Sequence, residues 1–152
     1  MLKIIVLGLL GLFVAFAVWV RLGPTDVAFW HNPKLPIMES GDHPGAGSFV
    51  MQRPMDGDGI ETLARLDDII LATPRTAILA GTVAEGKITY VTRSRVMGFP
   101  DYTTVTLTSL APLDGSTLQV FGRLRFGKAD MGVNRARIEG WLATLDGGTP
   151  TQ

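Results

Sequence analysis

The stretch KITYVTRSRVMGFPDYTTVTLTSL, residues 87–110, decides how this chain folds. Its two ends are rich in Thr, Val, Ile and Tyr, the residue types that suit a pleated, half-buried surface. A Gly98-Phe99-Pro100-Asp101 corner divides them, so two strands and a turn are expected. Pro100 fixes φ at that corner, and Asp101 carries a carboxylate able to accept from turn amides. Phe99 is expected to plug an edge of the core.

The same signature continues on both sides. TAILAGTVA (76–84) precedes it and TLQVFGRLRF (117–126) follows, with Glu85-Gly86 and Leu113-Asp114-Gly115-Ser116 as turns. Segments 76–84, 87–96, 102–110 and 117–126 therefore predict a four-stranded antiparallel meander. Upstream, Asp58-Gly59-Ile60-Glu61 has the form of a capping box, with Asp58 as the cap. Ile60, Leu63, Leu66 and Ile70 then make the buried stripe of a helix that ends near Leu71, ahead of Thr73-Pro74. Downstream, Ile138, Trp141, Leu142 and Leu145 fall at helical spacing within 133–145, and Gly147-Gly148 ends the run. Two helices covering one face of the sheet give an α+β two-layer domain.

Alternation along each strand sorts side chains by face. Leu118, Val120, Leu124 and Phe126 are expected inward, as are Ile88, Tyr90, Val96, Val105 and Leu107. The outward set holds Thr89, Val91, Arg93 and Arg95 on one strand, Tyr102, Thr104, Thr106 and Thr108 on the next, and Gln119, Phe121, Arg123 and Arg125 on the last. In a meander the first and last of these run parallel, so Arg93, Arg95, Arg123 and Arg125 gather at one end of the sheet. Asp101, Tyr102, the loop GKADMG (127–132) with Asp130, the helix start at Asn134, and Arg75 belong to the same end. Such a group can bind an anionic ligand or an acidic partner. It can equally be an internal network in which Asp101 and Asp130 pair the arginines.

The N-terminus has another character. From Ile4 to Val20, IIVLGLLGLFVAFAVWV is seventeen apolar or glycine residues between Lys3 and Arg21. As a helix it reaches about 26 Å, close to the roughly 30 Å hydrocarbon core of a bilayer, and Leu2 and Leu22 can extend it. Lys3 and the terminal amine favour a cytoplasmic N-terminus, which places the domain outside the inner membrane on a single pass. Ala15-Phe16-Ala17 has the small-x-small form of a signal-peptide cleavage site. The apolar run continues past that site, which favours a retained anchor; both readings export the domain.

Residues 23–57 hold five of the nine prolines and no sustained periodicity, so they read as a stalk and lead-in between the anchor (1–22) and a globular domain (58–147). Residues 148–152 read as a disordered tail. Formal charge is zero, but residues 24–86 carry four basic and nine acidic side chains and residues 87–152 eight and five. That asymmetry is too mild for nucleic-acid binding. With no cysteine, disulfides, thiol catalysis and cysteine metal sites are excluded. His31 and His43, near Asp26 and Asp42, would have to converge from a flexible segment, so no metal or cofactor is expected. No serine sits in a nucleophile-elbow pattern, and arginine neighbours would depress Asp101 and Asp130, which suits pairing better than acid catalysis. No catalytic residue is assigned. A non-catalytic envelope module is the favoured reading, and a hydrolase or transferase acting on an anionic substrate is the alternative.

TYVTRSRVMGFPDYTTVTL, GRLRFGKADMGVNRARIEGWLATL and RLGPTDVAFWH together resemble the bacterial family known as domain of unknown function 1499. The Phe-Pro-Asp corner and the Gly-x-x-Asp-x-Gly-x-Asn-x-x-Arg stretch carry the resemblance. It implies a small exported or membrane-associated domain and assigns no activity, so it supplies no catalytic residues.

Overall fold

The computed structural model describes residues 1–109 and 115–147. Helix α1 (Leu2–Leu22) is followed by the short α2 (Val27–His31), strands β1 (Gly41–Gly45) and β2 (Ser48–Met55), and helix α3 (Ile60–Leu71). Strands β3 (Thr76–Thr82), β4 (Lys87–Arg93), β5 (Pro100–Ser109) and β6 (Ser116–Leu124) come next, and helix α4 (Val133–Leu145) ends the described fold. The expected tail at 148–152, Leu110, and Leu113-Asp114 of the expected turn lie outside the described residues.

The α+β class holds, but the sheet is larger than expected. It has six antiparallel strands in the order β1-β2-β6-β5-β4-β3. The meander β3 to β6 is as read, and the β1–β2 hairpin from the supposed lead-in adds to its β6 edge. Two prolines hid that hairpin. Pro44 sits in the edge strand β1, where a missing N–H costs no ladder bond to a further strand, and Pro54 lies near the end of β2. The central part of β2 is buried on both faces, Phe49 and Met51 as well as Val50 and Gln52, so it shows no polar alternation.

Helices α3 and α4 cover one face, as expected. Leu63, Leu66, Ile70, Ile138, Trp141, Leu142 and Leu145 pack there with Phe49, Met51, Ile88, Tyr90, Val105, Leu118 and Val120. The two helices are also tied by polar bonds: Trp141 Nε1 donates to Thr73 Oγ1 at 2.7 Å, and Arg65 Nη2 donates to Leu145 O at 2.9 Å, closing a free carbonyl at the end of α4. At the start of α3, Asp58 Oδ1 accepts from Ile60 N at 3.1 Å, but the cap residue is Gly59, one position later than expected.

Two inward assignments fail, because strands β4 and β6 end before the residues concerned. Val96 lies beyond Arg93 in a turn and is 79% exposed. Phe126 lies beyond Leu124 and packs against Trp19 and Phe99.

Candidate functional site

The outward face of the sheet is not open. The segment from Pro24 to Met38, including α2, lies across it and supplies main-chain carbonyls to its polar side chains. Trp30 stacks on Tyr102 with ring centroids 4.0 Å apart. Arg125 Nη2 donates to Pro24 O at 2.7 Å, and its Nη1 to Thr25 Oγ1 at 3.0 Å and Tyr102 Oη at 3.3 Å. Arg123 donates to Trp30 O and, at 3.0 Å, to Thr104 Oγ1, and its guanidinium lies 5.1 Å from the Trp30 ring and 4.6 Å from that of Phe121. Burial lowers the Arg123 pKa to about 10, which leaves it charged at neutral pH. Gln52 and Gln119 hold the far end of the segment through Met38 and Pro36.

Arg93 performs a different task at the same end. Its Nη1 donates to Gly98 O at 3.1 Å and Val20 O at 3.4 Å, and its Nη2 to Arg21 O at 3.2 Å. Val20 and Arg21 belong to the last turn of α1, whose carbonyls lack helical partners, so Arg93 clamps that helix end to the sheet. Arg21 returns the contact by donating to Val96 O at 3.1 Å. Gly98 has φ +73, and a Cβ there would stand 3.1 Å from Arg21 Nε, so both backbone and space favour glycine. Phe99 packs beside Phe16 and Phe126, and Trp19 beside Phe126, with centroids 5.5–6.3 Å apart. The Gly-Phe-Pro-Asp corner is thus a docking plate for α1.

Asp101, Asp130 and Asn134 lie with the helices instead. Asp130 accepts from Gly132 N, Asn134 N and Asn134 Nδ2 at 2.7–3.1 Å, closing the start of α4. Asn134, fully buried against Gly122, accepts from Arg137 Nη1 at 3.1 Å, and Arg137 Nη2 reaches Asp101 Oδ2 at 3.2 Å. The two sequence motifs therefore meet in one bonded chain. Burial pushes the Asp101 carboxyl up despite the neighbouring Arg137, contrary to the expected depression. Burial also opposes the charge on Asp130, but the bonds from Asn134 and Gly132 outweigh it and hold that carboxyl below its usual range.

Of the expected site residues, the structure brings Arg93, Tyr102, Arg123 and Arg125 to one end of the outward face, bonded to the chain's own residues 20–30. Arg95 lies just past β4 and is exposed. With Arg21, Arg75 and Arg93 it rims an open depression of about 440 Å³ that also includes Thr76, Ser94 and Gly98. Among the described residues, none of these four guanidiniums lies within ion-pair distance of a carboxylate. The sequence reading missed the parts played by Thr25, Trp30 and His31. Their signal was a short run with Asp26 as a helix cap, which accepts from Phe29 N at 3.0 Å, inside a proline-rich stretch. Among the described residues no three or more His, Asp or Glu side chains converge on a metal position.

His31 is expected to make the covering layer sensitive to acid. Thr104 donates its single hydroxyl proton to Trp30 O, so Thr89 must donate to Thr104 and accept from His31 Nδ1–H, at 3.0 Å in each case. Burial, with Lys87 nearby, lowers the His31 pKa, and Glu85 opposes this only in part. Because the folded pKa lies below the unfolded value of about 6.5, the unfolded chain takes up the proton first. The contribution of His31 is expected to be complete above about pH 6.5 and to fall as the pH drops toward the folded value. Urea unfolding at a series of pH values checks this; a His31→Gln protein should lose that part of the pH dependence.

An α+β two-layer domain, carried behind one apolar helix whose end it grips, is the class that fold and site define. Residues 45–145 match the family described as "Protein of unknown function (DUF1499)", and the chain belongs to that family. The match runs from the β1–β2 turn to the end of α4, leaving α1 and the covering segment outside it. A search of the curated proteins returned no match.

Proposed function

We propose that this chain is a membrane-anchored, non-catalytic envelope protein, with α1 crossing the inner membrane once and the domain facing the periplasm. Its arginine end binds an acidic protein partner or an anionic envelope component. Helix α1 is long and apolar enough to cross a bilayer, its 21 residues extending about 31 Å, and most of its side chains are exposed in the isolated chain. The observation that carries the reading is the Arg93 clamp. By bonding Val20 O and Arg21 O it fixes the end of α1 to the corner that bears Arg21, Arg75 and Arg95. A tethered domain would otherwise tumble freely; this one would hold its cationic end where the helix leaves the bilayer.

The depression is lined by guanidinium, hydroxyl and aliphatic groups, which suit anion binding. Asp101 is engaged by Arg137, and Asp130 by the start of α4, so neither points to acid–base turnover at this end. Replacing the exposed Arg75 and Arg95 together with Gln should leave folding intact. Components cross-linked to the full chain in intact membranes should then include at least one acidic species depleted about thirtyfold, from roughly 1 kcal/mol for each of the two basic residues at an anionic surface. Identical profiles for parent and variant would overturn the reading.

A further inference from the structure

We infer that the depression between Arg21, Arg75, Arg93 and Arg95 binds the phosphate of an anionic lipid headgroup in the leaflet from which α1 emerges. This rests on the membrane-anchored reading above and names the ligand of its arginine end. Four guanidiniums without a carboxylate partner among the described residues surround one open space, and guanidinium forks match phosphate oxygens better than ammonium groups do.

The donors divide between structure and ligand. Arg93 spends both terminal nitrogens on Val20 O, Arg21 O and Gly98 O, and Arg21 spends its own on Ala17 O and Val96 O. These two supply mainly charge. Among the described residues Arg75 uses only Nε, on Arg93 O at 3.1 Å, which leaves its terminal fork for a ligand, and Arg95 is exposed beside it. Ser94 Oγ accepts from Phe99 N at 2.9 Å and keeps its own proton for a further acceptor. A phosphate bridging Arg75 and Arg95, with the Ser94 hydroxyl as a third donor, satisfies this set.

The surroundings select a lipid over a soluble phosphate. Val96 follows Arg95 directly and is 79% exposed, while Trp19, half exposed, marks the last turns of α1 at the same corner. An exposed aliphatic tip next to a cationic depression and an indole is the pattern of a surface that meets headgroups and the first methylenes together. A soluble-phosphate site has no use for the exposed valine.

The test places the full chain in phosphatidylcholine nanodiscs with and without phosphatidylglycerol, and follows the side-chain Nε–H resonances of Arg75 and Arg95 by NMR. Phosphatidylglycerol is expected to shift both resonances saturably. Arg95→Gln should weaken the response about fivefold, Arg95→Lys by less, and Arg135→Gln, an equal loss of charge on the outer surface of α4, not at all. Inorganic phosphate added to phosphatidylcholine discs separates the two sources: shifts with free phosphate but not with the lipid would overturn the lipid assignment. Absence of any shift, or an equal effect of Arg135→Gln, would overturn the site. If the cross-linking profile still loses an acidic component on Arg75 and Arg95 substitution while the lipid gives no shift, this inference fails and the broader reading stands.

Discussion

Replacing Trp141 with alanine is expected to cost on the order of 3–5 kcal/mol of unfolding free energy, the usual range for removing a large buried aromatic. Trp141 is 6% exposed and sits in the core shared by α3, α4 and strands β2, β4, β5 and β6. Most of the loss comes from the cavity, since two helices already close-packed on one face of the sheet cannot collapse far into it. A smaller part comes from its Nε1–H bond to Thr73, which closes the turn after α3. Trp141→Phe separates the two: it keeps most of the ring volume and should cost about 1–2 kcal/mol, the range for a lost hydrogen bond and a small void. Urea unfolding of the full chain in neutral detergent measures both. A loss below about 1 kcal/mol for Trp141→Ala would show that α4 does not dock through this residue.

The core was legible because its signals are periodic. Ile138, Trp141, Leu142 and Leu145 at helical spacing, and Ile88, Tyr90, Val105, Leu118 and Val120 at strand spacing, all proved buried on the face shared with the helices. Parity also placed Arg93, Arg123 and Arg125 together on the opposite face. What parity cannot show is a second layer. Residues 24–38 bury few apolar side chains and, beside the Trp30 stack and the Thr25 and His31 bonds, hold the sheet largely through main-chain carbonyls, which every residue type carries alike. A proline-rich segment that docks by its backbone therefore has the same composition as a linker. The two ends of strands that were read too long, at Val96 and Phe126, failed for a related reason: alternation continues in the sequence after the ladder has stopped.

The motif residues were legible as a pattern and not as a mechanism. Asp101 and Asp130 were expected to pair the outward arginines. Strand register instead puts Asp101 opposite Leu124, on the helix face with Val105 and Leu107 four and six pairs further along, and its partner is Arg137 of α4. Asn134 acquires its importance only from Gly122, whose lack of a side chain lets the buried amide approach β6. Neither fact follows from spacing along the chain.

Substituting Arg123 with methionine is expected to lower stability by about 2–3 kcal/mol and to release the covering segment from the sheet, from the worth of hydrogen bonds made by a charged donor. Methionine keeps much of the stem between Trp30 and Phe121, so the loss reports mainly the guanidinium. That group donates to Trp30 O and Thr104 Oγ1, the acceptors through which α2 is fastened to β5. Thr104 also receives the Thr89 hydroxyl, which in turn receives His31 Nδ1–H, so Arg123 and His31 act on one hydroxyl chain. Their effects should not add: in a double-mutant cycle Arg123→Met and His31→Gln should show a coupling of about 0.5–1.5 kcal/mol, as residues within one network do. Trp30 fluorescence should move to longer wavelength as its ring leaves Tyr102, and proteolysis within residues 32–38 should accelerate. Arg93→Met, which frees the end of α1 but not α2, should leave the Trp30 signal in place. If Arg123→Met changes stability by less than about 0.5 kcal/mol and leaves Trp30 unaltered, then the stacking of Trp30 on Tyr102 suffices to hold the segment and the guanidinium is free to face a ligand; if both change together, Arg123 is committed to the fold, and Arg75 and Arg95 alone remain to recognise an anion.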